Sequence, residues 1–159
     1  MKIIDGGVTA AKGFKAAGMH AGIKKGTKKD MAMIVSSAPC MAAGTFTTNL
    51  VKAAPVKWDQ HVVYEHGEAR AVVVNSGIAN ACTGAEGYGY CEETAKAAAE
   101  ALGIDKDEVL VASTGVIGKQ LPIDTIKKGV KDLSGLLLDT REAATLAAES
   151  IMTTDTVKK

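Results

Sequence analysis

Aromatic residues are scarce in this sequence, and long apolar runs are absent. Aromatics make up 4% of the 159 residues, although 47% are hydrophobic. The core must therefore be built from valine, isoleucine, leucine, methionine and alanine, which suit close α/β packing. No apolar run approaches the ~18 residues that a membrane-spanning helix needs. The segment Met1–Gly7 also lacks the apolar region of a signal peptide. These absences predict a soluble cytoplasmic protein.

Cysteine is rare and shows no paired spacing. The three cysteines, Cys40, Cys82 and Cys91, form an odd set without a CxxC motif. Disulfide-rich domains and zinc sites usually contain paired cysteines, so neither is indicated. We expect all three to behave as small buried apolar residues in a reducing compartment. A nucleophilic thiol at Cys82 is an alternative that remains open.

Charge of neither sign dominates. The formal net charge is +1 and the basic residues are scattered, which gives no electrostatic reason to expect a nucleic-acid partner. The one dense basic patch is interpreted as a solvated turn around Gly26. It consists of Lys24, Lys25, Lys28 and Lys29. The histidines do not have metal-site spacing, since His61 and His66 are five positions apart on one predicted helix.

Strand-like and helix-like segments alternate along the chain. Apolar and β-branched runs predict strands at 31–37, 44–48, 71–75 and 108–113. Helices are predicted at 55–66 and 87–102, from about 122, and from about 140. Gly67 and Gly103 are expected to end the first two helices, and Asp139 with Glu142 forms a capping-box pattern at the last. This order predicts one α/β layered domain over residues 1–159.

A glycine-containing turn is expected after the strand that ends at Ser113. Gly115 has no side chain, so another molecule can approach its amide closely. Outward-pointing amides can hold a negative oxygen, as in an oxyanion hole; an ordinary strand-to-helix turn is the alternative. A phosphate-binding P-loop is not indicated, because Gly115 and Gly118 enclose two residues rather than four and Lys119 is followed by Gln120.

Two further polar clusters are ambiguous on the residues alone. Thr153, Thr154 and Thr156 surround Asp155 after the last predicted helix. They are either the frayed end of that helix or a set of hydroxyl donors that position a polar substrate. The other cluster is interpreted as side chains that brace their own backbone. It consists of Asn75, Ser76 and Asn80.

Five segments are distinctive, namely 7–18 (GVTAAKGF, then AAG), 42–56 (AAGTFTTN, then VKAAPV), 74–84 (VNSGIANACTG), 113–118 (STGVIG) and 151–156 (IMTTDT). In this order they resemble the ornithine acetyltransferase (glutamate N-acetyltransferase) family of arginine biosynthesis. Together they cover nearly the whole chain in the family's order. Three positions depart from the family pattern without touching the 113–118 segment. They are Ala11, where proline is common, Ile78, where asparagine is common, and Lys158, where a proline often precedes the lysine.

The resemblance implies an α/β fold of the ornithine acetyltransferase and N-terminal-nucleophile aminopeptidase-like type. Members are made as one precursor that cuts itself at an Ala-Thr bond, and the new N-terminal threonine of the β-chain becomes the nucleophile. The implied reaction is ping-pong transfer of an acetyl group from N-acetylornithine to glutamate, without a metal or organic cofactor. Some members also accept acetyl-CoA, and the implied assembly contains two α-chains and two β-chains.

The resemblance also assigns site residues. Thr114 and Gly115 match the family's oxyanion pair, and the Thr153-Thr154 pair matches the segment that supplies a substrate-contacting threonine. Either threonine fits that role. Two other functions stay open, namely a non-catalytic small-molecule-binding module and a related self-cleaving amidohydrolase or aminopeptidase.

The nucleophile is expected outside this sequence. The family's Lys-Gly-Ser-Gly-Met segment and its Ala-Thr cut do not occur here, and the one Ala-Thr pair, Ala144-Thr145, lies in a predicted helix. The sequence therefore corresponds to an incomplete α-chain. We expect isolated residues 1–159 to transfer no acetyl group from N-acetylornithine. Intact-mass spectrometry checks this, and a burst of covalently acetylated chain would contradict it.

Overall fold

Four strands form one mixed sheet in the order β1-β2-β3-β4. The computed structural model describes residues 6–158, so most of the segment Met1–Gly7, for which we predict no signal peptide, lies outside the described residues. The first two strand pairs are antiparallel, and β3 and β4 are parallel. The strands are β1 (Phe14–Met19), β2 (Met31–Met41), β3 (Glu68–Ile78) and β4 (Val109–Val116).

Helices cover both faces of the sheet, as the predicted α/β layered domain requires. Three of them pack on one face around a large apolar core, and the fourth packs on the other face. Within residues 6–158 no helix is long and apolar enough to cross a membrane. The α-helices are α1 (Ala54–His61), α2 (Gly84–Leu102), α3 (Ile123–Ser134) and α4 (Arg141–Ser150).

The larger core is built mainly from aliphatic side chains around a single tryptophan. Trp58 of α1 is 2% exposed, and its indole Nε1 donates a hydrogen bond of 2.8 Å to the carbonyl of Val109 in β4. On the opposite face the cluster of buried apolar residues consists of alanines, namely Ala16, Ala32 and Ala147. Because these side chains are small, α4 lies close against the sheet.

Several helix ends and strand positions were predicted correctly from the residues at those places. The predicted helix at 55–66 is α1 followed by a π-helical turn (Val62–His66), and Gly67 ends it with a φ of +80°. Gly103 ends α2 with a φ of +68°. Both glycines adopt the left-handed conformation that other residues avoid at a helix end. The predicted strands at 31–37, 71–75 and 108–113 are all present and longer than expected.

The predictions for the segment 44–48 and for the N-cap of α4 are wrong. Residues 44–48 form no strand, because β-branched residues need a neighbouring strand to pair with, and Phe46 instead packs edge-on against Tyr64. The N-cap of α4 is Thr140 rather than Asp139. The Thr140 hydroxyl accepts the N–H of Ala143 at 3.2 Å, which satisfies one of the free donors at the helix start.

The three cysteines differ in environment. Cys91 is buried, as predicted, whereas Cys40 is intermediate and Cys82 is exposed. The prediction for Cys82 is wrong because this residue lies in the tight turn before α2, where its φ of +58° turns it out of the core. All three are free thiols. Among residues 6–158, no group of histidine, cysteine, aspartate and glutamate side chains could hold a metal ion.

The free energy of unfolding should depend on the protonation of Asp59 in α1. Burial raises the pKa of this carboxyl to about 6, although a hydrogen bond from the Val111 N–H at 3.0 Å opposes the shift. The folded state therefore binds this proton more tightly than the unfolded state, whose pKa is near 3.8. Stability from this group is present at low pH and is lost as pH rises from about 4 to about 6.

We expect Asp59→Asn to raise the free energy of unfolding above pH 6 and to flatten its decline between pH 4 and 6. The amide keeps an acceptor for Val111, and the gain should be about 1–2 kcal/mol, since one pKa unit corresponds to about 1.4 kcal/mol before solvent screening. Urea unfolding from pH 4 to 8 measures the effect, with the exposed Asp139→Asn as control. Equal pH profiles for wild type and Asp59→Asn would contradict this explanation.

Candidate active site

The parallel pairing of β3 and β4 forms the floor of the candidate site. In this register Ser76 lies opposite Thr114, and Gly77 lies opposite Gly115. The strand continues to Val116, so the predicted turn directly after Ser113 is wrong. The Ser-Thr-Gly segment is extended because β3 runs on to Ile78 and offers it a partner.

Both glycines at this point are required by the backbone. The φ angles of Gly77 and Gly115 are +105° and +130°, which side chains disfavour. A Cβ atom on Gly115 would also lie 2.5 Å from the carbonyl oxygen of Gly77 and 2.8 Å from the amide nitrogen of Ile78. The strands therefore approach each other closely here, and the exposed backbone of Gly115 is held rigidly.

Polar side chains brace the ends of β3 and β4, as predicted for Asn75. Its side-chain nitrogen donates to the carbonyl of Ile78 at 2.9 Å, and its oxygen accepts the Ser113 hydroxyl at 2.6 Å. Asn80 is also a brace, because its side chain bonds the carbonyl of Gly87 at 2.7 Å. Ser76 differs from the prediction, since its hydroxyl donates to a distant carbonyl, that of Ser150 at the end of α4.

A buried aspartate organises the loop between β1 and β2. Asp30 is completely buried, its carboxylate lies 3.3 Å from the Nδ1 atom of His20, and its backbone carbonyl accepts the N–H of Ser76 at 2.8 Å. The carboxylate also accepts three backbone N–H groups at 2.6, 2.7 and 2.8 Å, from Ala21, Ile23 and Lys24. Sequence reasoning missed this residue, although an aspartate beside a glycine-rich turn is the available signal.

The interpretation of the basic patch as a solvated turn is wrong for Lys24. This side chain is partly buried, and its ammonium donates to the carbonyls of Met152 at 2.5 Å and Lys29 at 3.0 Å. Burial lowers the pKa of Lys24; the charge of Asp30 opposes that shift and the charge of Lys28 adds to it. Lys25 and Lys28 are exposed, as expected, and the ammonium of Lys29 forms a 2.9 Å ion pair with Glu149.

The segment after α4 is held in place rather than frayed. At its start the carbonyl of Ser150 accepts the Ser76 hydroxyl, and two residues later the carbonyl of Met152 accepts the Lys24 ammonium. The N–H of Thr153 then donates to the carboxylate of Asp155 at 3.2 Å, which forms a local turn. The Thr153-Thr154 pair is exposed on this turn.

All four predicted site residues line one cleft of about 500 Å³. An adjoining cleft of about 360 Å³ shares Thr153 but not Thr154 with it. The first cleft therefore combines fixed hydroxyl and backbone groups with two cationic side chains, which suits a polar anionic ligand. Cys82 lines a different cleft of about 460 Å³. The first cleft is lined by Lys24, Lys28, Gly77, Thr114, Gly115, Val116, Thr153 and Thr154.

The sequence is similar to known proteins along nearly its whole length. The ArgJ family model matches residues 15–159. The arginine biosynthesis bifunctional protein ArgJ of Gloeobacter violaceus is 53% identical over 156 residues, which are 98% of this chain and 38% of that protein. The corresponding protein of Symbiobacterium thermophilum is 52% identical over 161 residues, 100% of this chain and 39% of that protein. The chain thus spans under two fifths of the length of these relatives.

Two solved structures have the same fold. The crystal structure of the Bacillus halodurans arginine biosynthesis bifunctional protein ArgJ gives a TM-score of 0.92 at 43% identity, covering 99% of this chain and 81% of that chain. The ornithine acetyltransferase of Mycobacterium tuberculosis, solved in complex with ornithine, gives 0.92 at 45% identity, covering 98% and 83%. The predicted α/β fold is therefore confirmed.

We expect Gly115→Ala to lower the free energy of unfolding by more than Gly118→Ala. Both positions have positive φ angles, +130° at Gly115 and +74° at Gly118, which cost about 1–3 kcal/mol each for a residue with a side chain. Only at Gly115 would the new methyl group also collide with β3, since nothing lies within 4 Å of it at Gly118. Urea unfolding of both variants measures the difference. Equal destabilisation would show that the close strand approach contributes nothing.

Proposed function

Because the chain belongs to the ArgJ family, we propose that it is part of the α-subunit of an acetyltransferase that moves an acetyl group from N-acetylornithine to glutamate. The observation that carries the proposal is the convergence of Thr114, Gly115, Thr153 and Thr154 on one cleft. The solved Mycobacterium tuberculosis relative is an ornithine acetyltransferase complexed with ornithine, which supports this substrate class.

In the proposed mechanism Thr114 and Gly115 stabilise an oxyanion. A nucleophile adds to the acetyl carbonyl carbon, and the carbonyl oxygen gains negative charge. Donors that are already fixed stabilise that charge without having to reorganise. The close approach of β3 and β4 at Gly77 and Gly115 supplies such rigidity. Collapse of the intermediate breaks the amide C–N bond, and ornithine leaves after its nitrogen takes up a proton.

The proposed nucleophile is the N-terminal threonine of a β-chain. Its free amine takes the hydroxyl proton, and the hydroxyl oxygen forms an ester with the acetyl group. The amine of glutamate then attacks this ester, which releases N-acetylglutamate and restores the threonine. The Thr153-Thr154 pair would hold polar groups of the substrate. Lys24 and Lys28 favour this role electrostatically, because N-acetylornithine and glutamate both carry carboxylates.

The proposed partner is the β-chain of the same precursor, in an assembly of two α-chains and two β-chains. Val116 and Ile117 lie next to Gly115 and are 62% and 65% exposed. Covering them with a second chain would remove apolar surface from water beside the cleft. We further propose that the reaction needs no metal or organic cofactor. A cytoplasmic location stays a prediction, and the maize relative is chloroplastic.

Acetyl-CoA is a second candidate donor. The relatives from Gloeobacter violaceus and Symbiobacterium thermophilum are bifunctional proteins of arginine biosynthesis. An enzyme of this type would use acetyl-CoA to acetylate glutamate directly as well as recycling the acetyl group of N-acetylornithine. Transfer from each donor can be measured separately, so the two activities are distinguishable.

The first test supplies the complete protein that contains this chain with N-acetylornithine and glutamate, without acetyl-CoA. We expect N-acetylglutamate and ornithine in equal amounts by mass spectrometry. A second reaction replaces N-acetylornithine with acetyl-CoA. If neither donor yields N-acetylglutamate, the proposed substrate pair is wrong. Release of amino acids from short peptides by the same protein would then favour the aminopeptidase alternative.

We expect Thr114→Val to lower kcat by about 10²–10³-fold, the usual loss when one oxyanion donor is removed. Valine keeps the shape of threonine but cannot donate a hydrogen bond. Thr114→Ser restores a hydroxyl and should keep most of the activity. Thr145→Val is the matched control, because it makes the same change in α4, away from the cleft. Similar kcat values for Thr114→Val and Thr145→Val would remove the Thr114 hydroxyl from the mechanism.

A further inference from the structure

The start of the Lys24 side chain is fixed by the buried Asp30 carboxylate. The backbone N–H of Lys24 donates to this carboxylate at 2.8 Å, and the N–H of Ile23 donates at 2.7 Å. A buried carboxylate is costly unless it is bonded, so this loop conformation is strongly favoured over others. The backbone of Lys24 is therefore held beside β3 by hydrogen bonds that do not involve its side chain.

The stem of Lys24 passes close to a glycine of β3. A Cβ atom on Gly77 would lie 3.0 Å from the Cγ atom of Lys24 and 3.3 Å from the Cγ2 atom of Ile23. The missing side chain at Gly77 thus gives the lysine stem its path. Since Gly77 lies opposite Gly115, this path borders the strand pair that forms the candidate oxyanion site.

The ammonium group ends at the backbone immediately before the threonine pair. Its 2.5 Å hydrogen bond to the carbonyl of Met152 joins positions 128 residues apart. The other long-range anchors of this region, from Ser76 and Lys29, reach Ser150 and Glu149 on α4 itself. Lys24 alone among these three anchors reaches the segment beyond the helix, where the threonine pair lies.

We infer that Lys24 is a positioning residue that holds the Thr153-Thr154 pair at a fixed place relative to Thr114 and Gly115. Its effect on catalysis rests on the proposed function, whereas its effect on the local backbone does not. Besides the charge that it places in the cleft, Lys24 acts on the threonine pair through the Met152 carbonyl, so its loss should displace that pair without removing a group from it. A displacement of about 1 Å can cost as much as about 10²-fold in rate.

The kinetic test compares three variants of the complete acetyltransferase that contains this chain. Lys24→Met keeps the stem over Gly77 but removes the donors, and should lower kcat about tenfold to a hundredfold and raise the KM for N-acetylornithine. Lys24→Arg supplies N–H donors again and should recover most of the loss. Lys25→Met is the matched control, because it removes one positive charge from the same loop at an exposed position. It should leave kcat and KM unchanged.

Hydrogen exchange of residues 149–158 tests the same inference without an activity assay. We expect faster exchange in Lys24→Met than in wild type, with Lys25→Met unchanged. Unchanged exchange in Lys24→Met would overturn the inference. Faster exchange with wild-type kcat and KM would overturn the positioning role in catalysis. If wild type itself transfers no acetyl group, the proposed function fails, and hydrogen exchange alone still decides whether Lys24 holds this segment.

Discussion

The geometry of the candidate site depends on the hydrogen bonding of one buried carboxylate. Asp30 is fully buried, and three consecutive or near-consecutive amides of the β1–β2 loop turn inward to bond it. An unpaired buried charge would cost several kcal/mol, so the loop conformation and the burial of Asp30 stabilise each other. The carbonyl of the same residue also bonds Ser76 on β3. The loop, the sheet and the path of Lys24 are thereby fixed together.

A second constraint is the contact between Gly77 and Gly115. Their positive φ angles and close approach exclude side chains. The backbone of Gly115 therefore stays exposed, and the Lys24 stem can pass beside Gly77 on β3. The site thus consists of three rigid parts. They are the β3–β4 strand pair, the β1–β2 loop whose amides bond the Asp30 carboxylate, and the segment after α4, which is hydrogen-bonded to both. Rigid donors are what oxyanion stabilisation requires, because they need not reorganise during the reaction.

Local chemistry predicted the elements of the fold better than the contacts between them. The helix stops at Gly67 and Gly103 were predictable, because a left-handed residue is a local requirement. The partial burial of Lys24 was not predictable, since it depends on the Met152 carbonyl far along the chain. The predicted strand at 44–48 was wrong for the same reason, because a strand needs a neighbouring strand to pair with. The residues alone left Thr114 open, and the family resemblance singled it out.

The positive charge of Lys24 in the cleft follows from the way in which Asp30 and Lys24 are hydrogen-bonded. The ammonium of Lys24 bonds two neutral carbonyls rather than a carboxylate, and Asp30, the nearby anion, is already satisfied by backbone amides. The positive charge of Lys24 is therefore not cancelled by a direct ion pair among the described residues. With Lys28 it places two cationic side chains in the lining of the cleft. Two cations at this place would favour both the carboxylate of the proposed substrate and the negatively charged intermediate of the proposed mechanism, so one arrangement would serve both proposed roles.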